Sequence, residues 1–135
     1  MGKYTALQDD IFSIFGSDSW KAEKIQTYPS NFTMLDKGRE FIRISILPQD
    51  KGLNLSSVSG MLMIDIFVTA GNGPSRSLLI ADKLDQYLVG KSIETVQSKV
   101  TQFMNSNFAH RGVDTDNPTL FRSSYTIPFN YFGAE

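Results

Sequence analysis

Val58-Ser59-Gly60-Met61-Leu62-Met63-Ile64-Asp65-Ile66-Phe67-Val68-Thr69 alternates along its whole length. In an extended chain successive side chains point to opposite faces. Val58, Gly60, Leu62, Ile64, Ile66 and Val68 therefore share one face, and Met61, Met63, Asp65, Phe67 and Thr69 the other. An aliphatic face backed by a mixed one is the pattern of a long half-buried strand. The segment Phe41–Leu47, before it, reads the same way, with Ile42, Ile44 and Ile46 opposed to Phe41, Arg43 and Ser45, and Pro48 ending the run. A polar loop, Gln49–Asn54 with Lys51-Gly52 inside it, joins the two. Two β-rich runs around a short polar loop make an antiparallel hairpin.

Beyond the central strand, Gly71-Asn72-Gly73-Pro74-Ser75 breaks the extended chain. A helix then runs over 75–89: Ile80, Ala81, Leu84, Tyr87 and Leu88 fall on one face, and Gly90 stands where a C-terminal cap belongs. At the N-terminus Leu7, Ile11, Ile14 and Phe15 form a second helical stripe, with Thr5 as its expected cap, Asp9 and Asp10 on the solvent side and Gly16 as its C′ residue. A turn over 16–19 leads to a short expected strand, Ala22–Tyr28, stopped by Pro29. Over 93–108, Val96, Val100, Phe103 and Met104 fit helical spacing, while the Thr, Val and Phe content favours a strand, placed over Val96–Phe108. Ala109–Thr119 reads as a loop, and Leu120–Phe132 as a long closing strand. Phe121, Tyr125, Ile127, Phe129 and Tyr131 face one way on it, and Arg122, Ser124, Thr126 and Asn130 the other. Pro128, lacking a ladder donor, is expected at an edge or a bulge. The order predicts an α+β fold: a mainly antiparallel sheet with a long β-hairpin, two helices packed on one face, and a single domain over 1–135.

Composition narrows the function. The 135 residues contain no cysteine and one histidine, His110, which rules out disulfides, thiolate metal sites, a His-based triad and a multi-His metal site. A net charge of −1 gives no overall attraction to nucleic acid or membrane surfaces, and no apolar run or leader-like segment marks a membrane span or signal peptide. Gly71-Asn72-Gly73-Pro74-Ser75-Arg76 lies where phosphate-binding turns lie, but Arg76 occupies the last glycine position of a dinucleotide fingerprint, and the Gly-Lys-Ser/Thr of a P-loop is missing. Asp9 with Asp10, and Asp82 with Asp85, read as surface charges, and Asp114 and Asp116 lack the regular steps of a calcium loop. The expectation is a non-catalytic protein without a cofactor. Fifteen rings (10 Phe and 5 Tyr), crowded towards Phe121–Phe132, fill a core or anchor subunit interfaces.

The strand Gly60–Val68, the turn Gly71-Asn72-Gly73 and the helical Ala81-Asp82-Lys83-Leu84 resemble the central signature of the tail-terminator proteins of long-tailed phages. The N-terminal helix, Tyr28-Pro29-Ser30-Asn31-Phe32, Phe41–Leu47 and the aromatic closing strand before Gly133 follow in the same order. The resemblance implies a virion protein at the tail–neck junction: a homo-hexameric ring that caps the tail tube, meets a head-completion protein and lets DNA pass without sequence-specific binding. No membrane partner is implied. Assembly contacts are expected at the hairpin tip (Gln49, Lys51, Asn54), at the loop carrying Phe108, His110, Arg111, Asp114 and Asp116, and along the strand of Tyr125, Phe129 and Tyr131. Two other readings stay open: another neck or tail-completion protein, and a small nucleotide-binding α+β module using the 71–75 turn.

Overall fold

The computed structural model describes residues 3–29, 40–51, 58–69, 75–94, 100–113 and 120–132. The aliphatic strand is its centre. It forms β3 (Val58–Thr69), between β2 (Phe41–Lys51) and β7 (Leu120–Phe132), antiparallel to both. The remaining strands are β1 (Thr27–Pro29), β4 (Ser92–Glu94), β5 (Val100–Phe103) and β6 (Asn107–Val113). The sheet order is β1-β2-β3-β7-β5-β4, with β6 also paired to β7, and β1 to β2 is a parallel pairing.

Among the described residues three helices accompany the sheet rather than two: α1 (Lys3–Phe15), α2 (Asp18–Ala22) and α3 (Ser75–Leu88). Their apolar stripes meet one sheet face, as the alternation requires. Leu7, Ile11, Trp20, Ile80, Leu84 and Leu88 join Ile42, Ile44, Leu62, Ile64, Ile66, Ile127 and Phe129 in one core cluster. A smaller cluster, Phe41, Phe67 and Leu120 with Tyr28 against it, lies on the other face. There the Phe41 and Phe67 rings stack at 4.5 Å. No helix among the described residues is long and apolar enough to cross a membrane.

Several expectations change. Thr5 lies inside α1, and Gly16 is not among the residues of positive φ, so the left-handed cap expected there is absent. Ser17, extended at ψ 153, instead caps a second short helix over most of the segment read as a turn and the start of a strand. Its Oγ accepts from the N–H of Trp20 at 3.3 Å. A cap three residues ahead of a large buried side chain outweighs weak strand propensity. Trp20 then packs edge-on to Phe15 and Tyr87 and donates Nε1–H to Thr27 Oγ1 at 2.9 Å. Lys24, at φ 58, makes the turn into β1.

Pro48 does not end β2, because a register shift between Pro48 and Asp50 carries the strand on to Lys51. The strand expected over 96–108 and the loop expected from 109 are recast as β5 and β6. Both run antiparallel to β7, one beside Phe129–Phe132 and the other beside Phe121–Thr126, so they form one interrupted strand along its edge. Gly112, at φ 95, takes up the register shift between His110 and Gly112. Pro128 stands in a strand paired on both sides, opposite Met61 of β3 without a bulge. Its carbonyl accepts from the N–H of Met104 at 3.0 Å. In an antiparallel strand a residue's N–H and C=O point to the same side. The missing donor therefore faces the step between β5 and β6, and the pairing with β3 loses nothing.

Asp10 is not a surface charge. It is 5% exposed and its Oδ2 accepts from Thr101 Oγ1 at 2.8 Å.

Candidate assembly surface

The mixed faces of β2, β3 and β7 line up by register on the side of the sheet away from the described helices. Across it run the rows Phe41–Phe67–Arg122, Arg43–Asp65–Ser124, Ser45–Met63–Thr126 and Leu47–Met61–Pro128. The first two rows hold a charged cluster. Asp65, on the central strand, has a side chain only 5% exposed. Its Oδ1 accepts from Arg122 Nη2 at 3.0 Å, and its Oδ2 from Arg43 Nη2 at 3.5 Å. The Arg43 guanidinium also lies 5.2 Å from the centre of the Phe67 ring, within cation–π range. Arg111 of β6 donates Nε–H to Ser124 Oγ at 3.1 Å and so joins the same group. Among the described residues, three guanidiniums here face one carboxylate. Below them Met61, Met63 and Pro128 are half-buried and Leu47 is exposed.

The residues expected to make assembly contacts fall in different places. Gln49 and Lys51 lie in the last part of β2. Asn54, Asp114 and Asp116 lie outside the described residues, as do residues 71–74 of the glycine turn. Phe108, His110 and Arg111 belong to β6, not to a loop. His110 Nδ1 is 3.1 Å from Ser123 Oγ, and its ring meets Phe108 and Phe121 edge-on at 4.9 and 5.5 Å. Tyr125, Phe129 and Tyr131 are each 1% exposed and face the helices. Their rings are committed to this chain's own core.

Polar contacts on the helix side fix that layer. Tyr125 donates its hydroxyl to Asp85 Oδ1 at 2.6 Å, and burial together with that bond raises its pKa. Burial, with the charge of Asp10 second, also raises Tyr131. Glu40 holds Arg76 through both carboxylate oxygens, at 2.7 and 2.8 Å, tying the start of α3 to β2. The hydrogen bonds that Arg76 donates to Glu40 lift the arginine's pKa further, against the pull of burial. Lys83 pairs with Glu23 beyond α2.

The arginine cluster was not legible as a site. Arg43, Asp65 and Arg122 each read as ordinary residues on the polar side of a strand, and only the strand register joins them.

No family model matches the chain, and no curated protein matches it. Its fold has solved counterparts. A chain of the virion of a native gene transfer agent particle is similar over 94% of this chain and 95% of its own, with a TM-score of 0.64 and 13% identity. A second solved chain, which carries no functional name, is similar over 95% and 97%, with a TM-score of 0.68 and 15% identity. At such identities the likeness defines a shared fold, spanning nearly the whole of each chain.

Proposed function

We propose that this chain is a structural protein of a phage or phage-like virion, of the tail-terminator type. Copies of it close into a ring on the end of the tail tube and join the tail to the head-completion proteins of the neck. The observation that carries the reading is the end-to-end likeness to a chain of a gene transfer agent virion. The resemblance of the 60–68 strand, the 71–73 turn and the 81–84 helix to tail terminators points the same way, on independent grounds. The sheet face away from the helices adds a physical reason for assembly. Arginines and methionines side by side on a half-exposed face make the composition of a subunit interface rather than of a solvated surface. Work of this kind is done by shape and contact and requires no catalytic group.

Negative-stain microscopy of the purified protein, alone and mixed with tail tubes, tests the reading. Six-fold rings, free or seated on tube ends, are the expected result. A chain that stays monomeric and never binds tubes sinks it. Another neck or tail-completion protein of this fold would be revealed by antibody labelling of virions away from the end of the tube.

A further inference from the structure

The side of α3 turned away from the core carries Leu78 and Leu79, 44% and 45% exposed, and Asp82 one turn further on. The other acidic side chain of this helix, Asp85, accepts hydrogen bonds from Tyr125 and Ser106, whereas Asp82 makes no ion pair among the described residues. On the opposite side of the sheet lies the face that carries none of the described helices, where among the described residues guanidiniums outnumber carboxylates above an apolar row. Each guanidinium has five N–H donors in a planar fork that suits a carboxylate. Among the described residues, Asp65 and Ser124 accept only a few of those that Arg43, Arg111 and Arg122 present.

From these complementary faces we infer that α3 of one copy docks on this sheet face of the next. The Asp82 carboxylate enters the cluster of Arg43, Arg111 and Arg122, and Leu78 and Leu79 cover Met63. The spacings agree. One helical turn separates Asp82 from the leucines, a rise of about 5 Å. Two strand residues separate the Asp65 row from Met63, about 7 Å. The apolar row selects a protein partner over a phosphate backbone, which has no use for methionine and leucine beside the arginines. A second copy is selected because this chain itself carries the matching carboxylate and leucines at the matching distance. Two different faces meeting head to tail form a heterologous contact, which gives a closed ring when the rotation closes. The inference rests on the ring reading above and names its interface.

Light scattering on size-exclusion fractions tests it with two variants of the full chain. Asp82→Arg spoils only the helix face, and Met63→Arg spoils only the sheet face. Circular dichroism confirms that each is folded, and Thr126→Arg, in the same row, replaces Met63→Arg if that variant is not. The wild type is expected to assemble, and each variant alone to be monomeric. An equimolar mixture should stop at a one-to-one dimer, because it contains one intact pair of faces and one doubly spoiled pair. If Asp82→Arg keeps the wild-type mass, or the mixture stays monomeric, the interface is overturned while the ring stands. A wild type that forms no assembly, with or without tail tubes, overturns both.

Discussion

The carboxylate of Asp65 is held between two guanidiniums at unequal distances, 3.0 Å to Arg122 and 3.5 Å to Arg43, on the face of the sheet opposite the helices. The aspartate side chain is 5% exposed and the arginines 38% and 36%, so the three respond differently to truncation. Removing one partner of a buried charge costs most when the buried member is left behind. Arg122→Ala is expected to lose about 2–3 kcal/mol. Arg43→Ala should lose about 1 kcal/mol, since its bond is longer and Arg122 remains. Asp65→Asn falls between, because the arginines it releases reach water. Urea denaturation of the three variants checks the order, and a larger loss for Arg43→Ala than for Arg122→Ala would contradict it.

Thr101 and Asp10 lie far apart in sequence, and their hydrogen bond ties α1 to β5 across the core. Replacing Thr101 by Val keeps the shape and removes the donor to a carboxylate that water barely reaches. A buried group that loses its hydrogen bond costs about 1–3 kcal/mol. The expected loss is in that range, read from chemical denaturation, with α1 the first element to lose amide-exchange protection.

Tyr125 and Tyr131 both have pKa values raised above the usual 10.0. In the unfolded chain these phenols ionise near 10, whereas in the folded protein they hold their protons to higher pH. Above pH 10 the unfolded state therefore binds fewer protons than the folded one, and stability falls as pH rises. Thermal melts should show a loss beginning near pH 10. The double replacement of both tyrosines by Phe should make that loss shallower. An unchanged alkaline slope in the double variant would count against it.

Tyr131 carries a second consequence. Its hydroxyl is buried with no hydrogen-bond partner among the described residues. Tyr131→Phe at neutral pH is expected to leave the melting temperature unchanged or raise it, since only an unsatisfied polar atom is removed. A fall of several degrees would show that the hydroxyl has a partner.

Gly90 follows α3 at φ +70, and an added Cβ there would meet nothing within 4 Å. The only cost of Gly90→Ala is therefore the left-handed backbone, about 1 kcal/mol. Calorimetry should find that loss, with the folded spectrum unaltered.

The long elements were readable because their signals are local. The alternation of 58–69 and 41–47 marks strands wherever they end up, and the spacing of Ile80, Ala81, Leu84 and Leu88 marks a helix with a buried face. These runs also settled which face of each strand turns to the core. The sequence by itself thus determined the central hairpin, the closing strand, α3 and an α+β layering. The tertiary structure decided what depends on distant partners. Asp10 is buried because Thr101 and the core around it are brought to α1 by the sheet. Pro128 is tolerated in a strand paired on both sides because its missing donor faces the step between β5 and β6. Arg43, Asp65 and Arg122 become one cluster because the β2–β3–β7 register aligns them, and a shift of one residue would send each side chain to the other face. Hydrophobic period is written residue by residue along the chain, whereas register is a relation between strands.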